Sequence, residues 1–431
     1  MATFVIKGIA SVLSLAQNPY LCPMLQFAAY IVRHIAFSEK RNLSALIIRV
    51  AVVAVALSIA VMVVTTATVN GFQQEISRKI FGFWGHIHLS AYDLNYSYED
   101  LSPISAQQDF YAPLKALPEV AHIQRYARKA GIIKTDNDIE GIMLKGIGPD
   151  FDWRGFSRFL QQGDSLHLAD STKSNGIIIS ETTAKRLHLG MDSSLIVYFV
   201  QEKPRARKFA VTGIYHTGLE EYDEQYAIVD IRHIQKLNGW TDQQIGGFEV
   251  VLHDMNRLDD MTQYINDNMS TTEIKVQSMK EINPNIFEWL ALQNTNEQLI
   301  VGLMLFVALI NMATALIILI LERTNMIGIL KALGANNEAI RTIFLCNAAL
   351  IVGTGILIGN AIGLGLCGLQ HQFGLITLDE ESYYIHTAPI EIDWQLLWWL
   401  NMGTLLMSIV VLLIPSFLVT RIQPIKAIRF K

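Results

Sequence analysis

Four long apolar stretches divide the chain, at roughly 44–69, 299–321, 343–369 and 396–418. Crossing a hydrocarbon core of ~30 Å takes about 20 mainly apolar helical residues, and each stretch meets that length. The pattern therefore predicts four membrane-spanning helices. Residues 70–298 read differently, because their apolar positions recur at short periods. Alternation predicts strands at 120–135, 139–147, 177–180, 247–252 and 273–279, and a pair at 195–200 and 209–215. Helical spacing predicts helices at 103–117, 182–187 and 257–269. The expected fold class is membrane α plus extracytoplasmic α+β: four transmembrane helices, with a large mixed α/β domain between helices 1 and 2. Two subdomains are expected there, one formed by the two ends of the segment and one, about 150–220, inserted. Ahead of the first span, residues 1–43 form an extension and an interfacial helix. Residues 26–37 are amphipathic, carry Arg33 and His34, and suit the membrane surface. The apolar run 4–16 is too short to span and has no cleavage-site pattern.

Composition supports a membrane protein, with a mean hydropathy of +0.30. The net charge of −5 says less than its distribution. Lys40, Arg41 and Arg49 lie at the start of the first span, and Arg323, Lys331 and Arg341 lie at 322–342. Arg421, Lys426, Arg429 and Lys431 sit at the end of the chain, in or next to the 419–431 tail. The 370–395 loop has no Lys or Arg but holds Asp379, Glu380, Glu381, Glu391 and Asp393. The positive-inside rule then places both termini and 322–342 in the cytoplasm, and 70–298 and 370–395 outside. The cysteines are Cys22, Cys346 and Cys367, so residues 70–298 must fold without disulfides. Cys346 and Cys367 lie about 30 Å apart along one predicted helix and cannot pair within a chain. No cysteine spacing fits a metal or redox site.

The most informative stretch is ERTNMIGILKALGANNEAIRTIF, residues 322–344. Met326, Ile329, Leu330 and Leu333 recur at helical spacing. Gly334 follows as a stop able to take positive φ. Asn336 or Asn337 can cap the next helix, with Glu338 in its first turn. A short helix at the membrane face is expected, since a plain polar loop needs neither an apolar stripe nor a glycine stop. In the third span Gly355, Gly359 and Gly363 recur every four residues beside Asn360, a spacing that lets helix backbones approach closely. Trp394, Trp398 and Trp399 at the start of the fourth span fit an aromatic belt, and Pro415 near its end is a kink candidate.

Catalytic signatures are missing. No P-loop, HExxH or GxSxG pattern occurs, so no ATP binding through a P-loop and no catalysis is expected of this chain. His86 and His88 alternate on a strand but lack a third partner, and no metal is expected. The acidic run Glu220, Glu221, Asp223 and Glu224 lacks an EF-hand pattern and reads as a solvated turn. Lys203, Arg205, Arg207 and Lys208 surround Pro204 at the tip of a predicted hairpin. They read either as charges that keep an edge soluble or as a docking finger for an acidic partner.

The 322–344 segment resembles the stretch after the second span in FtsX-like permeases, the MacB/LolC/LolE class of ABC transporter subunits. NGFQQEISRKIFGFWGHI, ARKFAVTGIYHTGLEEYDEQYAIVD, YYIHTAPIEIDW and the tail RIQPIKAIRFK resemble the lipoprotein-releasing branch. The resemblance covers nearly all of residues 24–431. It implies a bacterial inner-membrane permease working with a cytosolic ATPase of the LolD type, which uses the ATP and Mg. That ATPase docks on a coupling helix, for which Glu322, Arg323, Met326, Ile327, Gly328, Leu330, Lys331, Leu333 and Gly334 are the candidate residues. It also implies a dimer with itself or a sister chain, a lipoprotein substrate, and a carrier of the LolA type. Lys203, Pro204, Arg205 and Arg207 occupy the position matching the carrier-docking hook. Nucleic acid is not an expected partner. The rival expectations are a MacB-like efflux permease for peptides or drugs, and an FtsX-like signalling subunit that regulates a cell-wall hydrolase.

Overall fold

The structure is a computed structural model and describes residues 43–92, 102–135, 138–168, 173–199, 201, 204–269 and 273–421. The expected helix at 26–37, the 136–137 turn, Lys203 and the end of the tail lie outside the described residues. The chain divides into two compact units, Met1–Phe72 with Ala291–Ile376 and Ala388–Lys431, and Gln73–Leu290 with Thr377–Thr387.

The first unit is helical. Its elements are α1 (Leu43–Trp84), α2 (Pro284–Glu322), α3 (Thr324–Ala332), α4 (Asn337–Phe373), α5 (Trp394–Ser416) and α6 (Leu418–Arg421), with α1 from Gln73 onward and α2 up to Leu290 belonging to the second unit. Four of these helices, α1, α2, α4 and α5, are long and apolar enough to cross a membrane. Val55, Ile59 and Met62 of α1, Leu316 and Ile320 of α2, and Phe344 and Val352 of α4 share one buried cluster. Lipid gives helices no hydrophobic reason to associate, so close packing and polar contacts hold such a bundle. The glycines of α4 face α1. A Cβ at Gly359 would lie 2.6 Å from the Ala56 carbonyl oxygen and 2.7 Å from Ile59 Cβ. At Gly355 it would lie 2.7 Å from Val55 Cγ1, and at Gly363 2.9 Å from Val63 Cβ. Helices α4 and α5 are joined by a reciprocal amide pair. Asn360 Nδ2 donates to Asn401 Oδ1 at 2.8 Å, and Asn401 Nδ2 donates to Asn360 Oδ1 at 3.2 Å. Trp394, Trp398 and Trp399 are exposed on the first turns of α5.

The second unit is built on a ten-stranded sheet. Its strands are β1 (Ile87–Ala91), β3 (Val120–Lys134), β4 (Ile139–Ile147), β5 (Leu160–Gly163), β6 (Gly176–Ser180), β7 (Ser194–Phe199), β8 (Arg205–Tyr215), β9 (Tyr226–Asp230), β11 (Gly247–Leu252) and β12 (Ile274–Ser278). The short β2 (Ile104–Ser105) and β10 (Gln244–Ile245) pair separately. The main order is β12-β1-β11-β3-β4-β9-β6-β8-β5, with β7 pairing β3 and β8. Strands from the two ends of the segment thus occupy one side of the sheet, and β5 to β8 occupy the other. The junction runs through β4, parallel to β9, and β9, antiparallel to β6. Every residue of β6 and β9 is buried, as apolar runs such as Ile177–Ile179 require.

Two expectations change here. Residues 103–117 do not form one helix: β2 comes first and a helix runs only over Tyr111–Lys115. A helix from 103 would put Pro113 in its interior, where proline removes a hydrogen bond and clashes with the preceding turn. The acidic run is not a solvated turn either. It forms a helix, Glu220–Gln225, in which Asp223 is buried while Glu220 and Glu221 are exposed.

Candidate functional site

In the first unit, α3 follows α2 after a single residue, and Gly334 at φ +95° ends it. Asn336 caps α4, its side chain accepting from the Glu338 amide at 2.7 Å. The apolar stripe of α3 divides in two. Ile327 and Gly328 are buried, and Met326 and Leu330 are half-buried against the bundle core. Ile329 and Leu333 point outward, 52% and 80% exposed. Of the expected coupling residues, Glu322, Leu333 and Gly334 are exposed and Arg323 is half-buried. Lys331 turns inward, where its Nζ donates to the Val419 carbonyl at 2.8 Å. The sequence places Ile329 in the stripe but does not mark it as a contact residue. Only the packing of its neighbours distinguishes it.

In the second unit, β7 and β8 form an antiparallel hairpin, with Phe199 opposite Arg205. Pro204 and Arg205 are exposed at its tip. Arg205 is nevertheless engaged. Its Nη1 donates to the Lys236 and Leu237 carbonyls, at 3.2 and 3.1 Å. These belong to the last turn of the helix Ile231–Asn238, where carbonyls lack helical partners and favour a cation. Among the described residues Arg207 donates from Nη1 to the neighbouring Ala206 carbonyl, at 3.0 Å.

Two clusters in this unit have no signature in the sequence. The first surrounds His216. Its Nδ1 lies 3.1 Å from Asp223 Oδ2 and 4.0 Å from Glu181 Oε2, and its Nε2 lies 3.2 Å from Glu380 Oε1. Glu380 belongs to the 377–387 hairpin, as does Tyr384, whose carbonyl accepts from Lys79 Nζ at 2.8 Å. Asp223 is held by the Thr217 amide and hydroxyl and by the Gly218 amide. Gly218 has φ +72°, and a Cβ there would collide with the Glu380 carboxylate and Lys79 Nζ. Nε2 is hydrogen-bonded to Glu380, while the Nδ1–Asp223 contact is an ion-pair distance without hydrogen-bond alignment, and with carboxylates on both sides of the ring the imidazolium is the favoured form. Asp223 raises the His216 pKa above the ordinary range, burial opposes that, and Glu380 adds to it. A raised folded-state pKa gives stability that is complete below the unfolded value of about 6.5 and is lost as pH rises through the folded value. Amides of 377–387, corrected for intrinsic exchange rates, should therefore be better protected at about pH 6 than at about pH 8.5. In His216→Gln the two pH values should give the same protection. A pH response surviving in that variant would assign the effect to another group.

The second cluster is an ion pair inside the sheet. Lys145 of β4 and Glu249 of β11 meet at 2.8 Å with no side-chain exposure. Glu249 also accepts from Gln124 Nε2 of β3 at 2.6 Å. Lys145 Nζ donates to the Phe83 carbonyl in the last turn of α1 and lies 4.2 Å from the centroid of the Trp84 ring. Burial pushes the Lys145 pKa down and the Glu249 pKa up, and each partner's charge opposes that. His88 Nε2 pairs with the Trp84 carbonyl at 2.8 Å, and His86 Nδ1 accepts from the Leu252 amide at 3.2 Å. Among the described residues no group of three His, Cys, Asp or Glu side chains is placed to hold a metal.

Residues 50–268 match the MacB-like periplasmic core domain family, and residues 299–424 match the FtsX-like permease C-terminal family. The chain is similar to the lipoprotein-releasing system transmembrane protein LolC of Xylella fastidiosa, at 23% identity over 416 residues, covering 93% of this chain and 97% of that protein. It is similar to the corresponding protein LolE of Haemophilus influenzae, at 21% identity over 411 residues, covering 90% and 95%. Among solved structures it is similar to the periplasmic region of MacB from Actinobacillus actinomycetemcomitans, with 13% identity, a TM-score of 0.33, and 47% and 92% of the two chains covered. The chain belongs to the FtsX-like permeases of the MacB class, ABC transporter subunits that carry a MacB-like periplasmic core domain between their first two membrane helices.

Proposed function

We propose that this chain is the permease subunit of an ABC transporter that releases lipoproteins from the bacterial inner membrane to a periplasmic carrier. The observation that carries the reading is similarity along nearly the whole length to proteins named for lipoprotein release. The termini and α3 face the cytoplasm, as the Lys and Arg distribution favours. A cytosolic ATPase of the LolD type binds ATP and Mg and docks on the outward face of α3, at Ile329 and Leu333. An exposed apolar patch beside charged residues suits a protein partner. The permease works as a pair, with a second copy or a sister chain. The tip of the β7–β8 hairpin receives the carrier. There Arg207 faces the partner, while Arg205 fixes the hairpin to the neighbouring helix and lowers the ordering cost of docking.

The test is depletion of this protein followed by membrane fractionation. Lipoproteins destined for the outer membrane should accumulate in the inner membrane. Drug or peptide sensitivity with normal sorting would point to efflux, and a division or cell-wall defect with normal sorting to signalling. Normal sorting in a cell with no second releasing system would remove the proposal.

A further inference from the structure

The C-terminal corner of α5 is gripped by two cations from separate elements. Pro415 deprives the last turn of an N–H, and the chain turns at Phe417 between α5 and α6. Ser416 is the last residue of α5, and Val419 lies in α6, just past this corner. Lys331, at the end of α3, donates to the Val419 carbonyl at 2.8 Å. Arg341, in the second turn of α4, donates from Nε to Ser416 Oγ at 3.3 Å. Its guanidinium carbon also lies 4.1 Å from the centroid of the Phe417 ring, inside the range of a cation–π contact. Ser416 Oγ is fixed in turn by donating to the Leu413 carbonyl at 2.6 Å. Ser416 and Val419 are both fully buried. At 3.6 residues per turn, Lys331 lies about 200° around α3 from Ile329 and from Leu333. The outward apolar face and the inward cation are therefore on opposite sides of one short helix.

We propose that Lys331 and Arg341 are positioning residues that clamp the coupling segment to the corner between the fourth membrane helix and α6, so that a push on α3 is delivered through that corner to α5. The inference rests on the permease reading above and adds a route for the stroke. Without the clamp, α3 connects covalently only to α2 and α4. With it, α3 and the corner of α5 move together, and the face that meets the ATPase is left free.

The test uses the full-length permease with its co-purifying ATPase, in a background lacking the native cysteines. Spin labels at Ala332→Cys and Thr420→Cys, both exposed positions, report the distance between α3 and the corner. In the unaltered clamp that distance should hold as nucleotide is added. In the Lys331→Met/Arg341→Gln variant it should broaden, and lipoprotein released per ATP hydrolysed should fall about tenfold, a usual size of coupling between sites. Lys331→Arg, which keeps a donor and the charge, should restore most of the coupling. The ATPase should still co-purify with the double variant. A variant that loses the ATPase would make Lys331 a docking contact and overturn the clamp. So would a label distance that changes with nucleotide in the unaltered protein, or full coupling in the double variant. Failure of the unaltered permease to bind any ATPase would overturn the permease reading instead. The label distances without nucleotide would still decide whether the two cations hold the corner.

Discussion

Lys145→Met should destabilise the MacB-like domain by about 3–5 kcal/mol, the usual cost of stranding one member of a buried ion pair. The substitution keeps the bulk of the stem and removes the charge. Glu249 is left fully buried with the Gln124 amide as its remaining hydrogen-bond donor, and the Phe83 carbonyl loses its cation. Chemical denaturation of the purified full-length protein, followed by domain tryptophan fluorescence, measures the loss. Lys145→Met/Glu249→Leu should recover much of it, because removing both charges removes the desolvation penalty as well. Glu249 offers an internal check. Burial already raises its pKa, and without Lys145 nothing of comparable strength opposes that. The deficit of the single variant should therefore shrink as pH falls and Glu249 takes up a proton. A single variant as stable as the parent, or a deficit unchanged by pH, would mean that the pair does not hold the sheet as described.

Gly359→Val should disrupt the membrane bundle, through overpacking that costs about 1–3 kcal/mol or more where the backbone cannot yield. The added Cβ meets the Ala56 backbone oxygen at 2.6 Å, and a backbone atom cannot rotate aside as a side chain can. Helices α1 and α4 would have to separate, and the contacts at Gly355 and Gly363 would loosen with them. The control lies on the same helix. A Cβ at Gly365 would meet nothing within 4 Å, so Gly365→Val should be tolerated. Thermal inactivation in mild detergent, read by size-exclusion chromatography, compares the two. Equal stability of the two variants would show that the glycine face does not set the α1–α4 contact.

The four membrane helices and the β7–β8 hairpin were legible because both depend on local period. Hydrophobic runs of spanning length have one common solution in lipid, and two alternating runs around a proline-bearing turn pair readily. The α3 stripe was legible as a stripe but not as two halves. Met326, Ile329, Leu330 and Leu333 are all apolar, and only the surrounding bundle decides which of them stay outside. The inward contact of Lys331 was not legible for the same reason: its acceptor, the Val419 carbonyl, lies 88 residues away in sequence. Asp223 was hidden because its donors, the Thr217 and Gly218 amides, converge only when Gly218 takes positive φ. Lys145 and Glu249 lie on strands distant in sequence, with β3 between them in the sheet, so no spacing rule reaches the pair.

The Asn360–Asn401 pair limits how α5 can move. A slide of one helical turn past α4 shifts α5 by about 5.4 Å along its axis. That shift would break both reciprocal bonds at once, and in hydrocarbon no water replaces them. A rocking motion about the pair, or a small roll of the helix, leaves both bonds in place. The fourth helix is thus free to tilt and restrained from pistoning. Seen kinematically, the amide pair is a pivot, and a pull on the corner at Phe417 becomes a swing of the helix's opposite end.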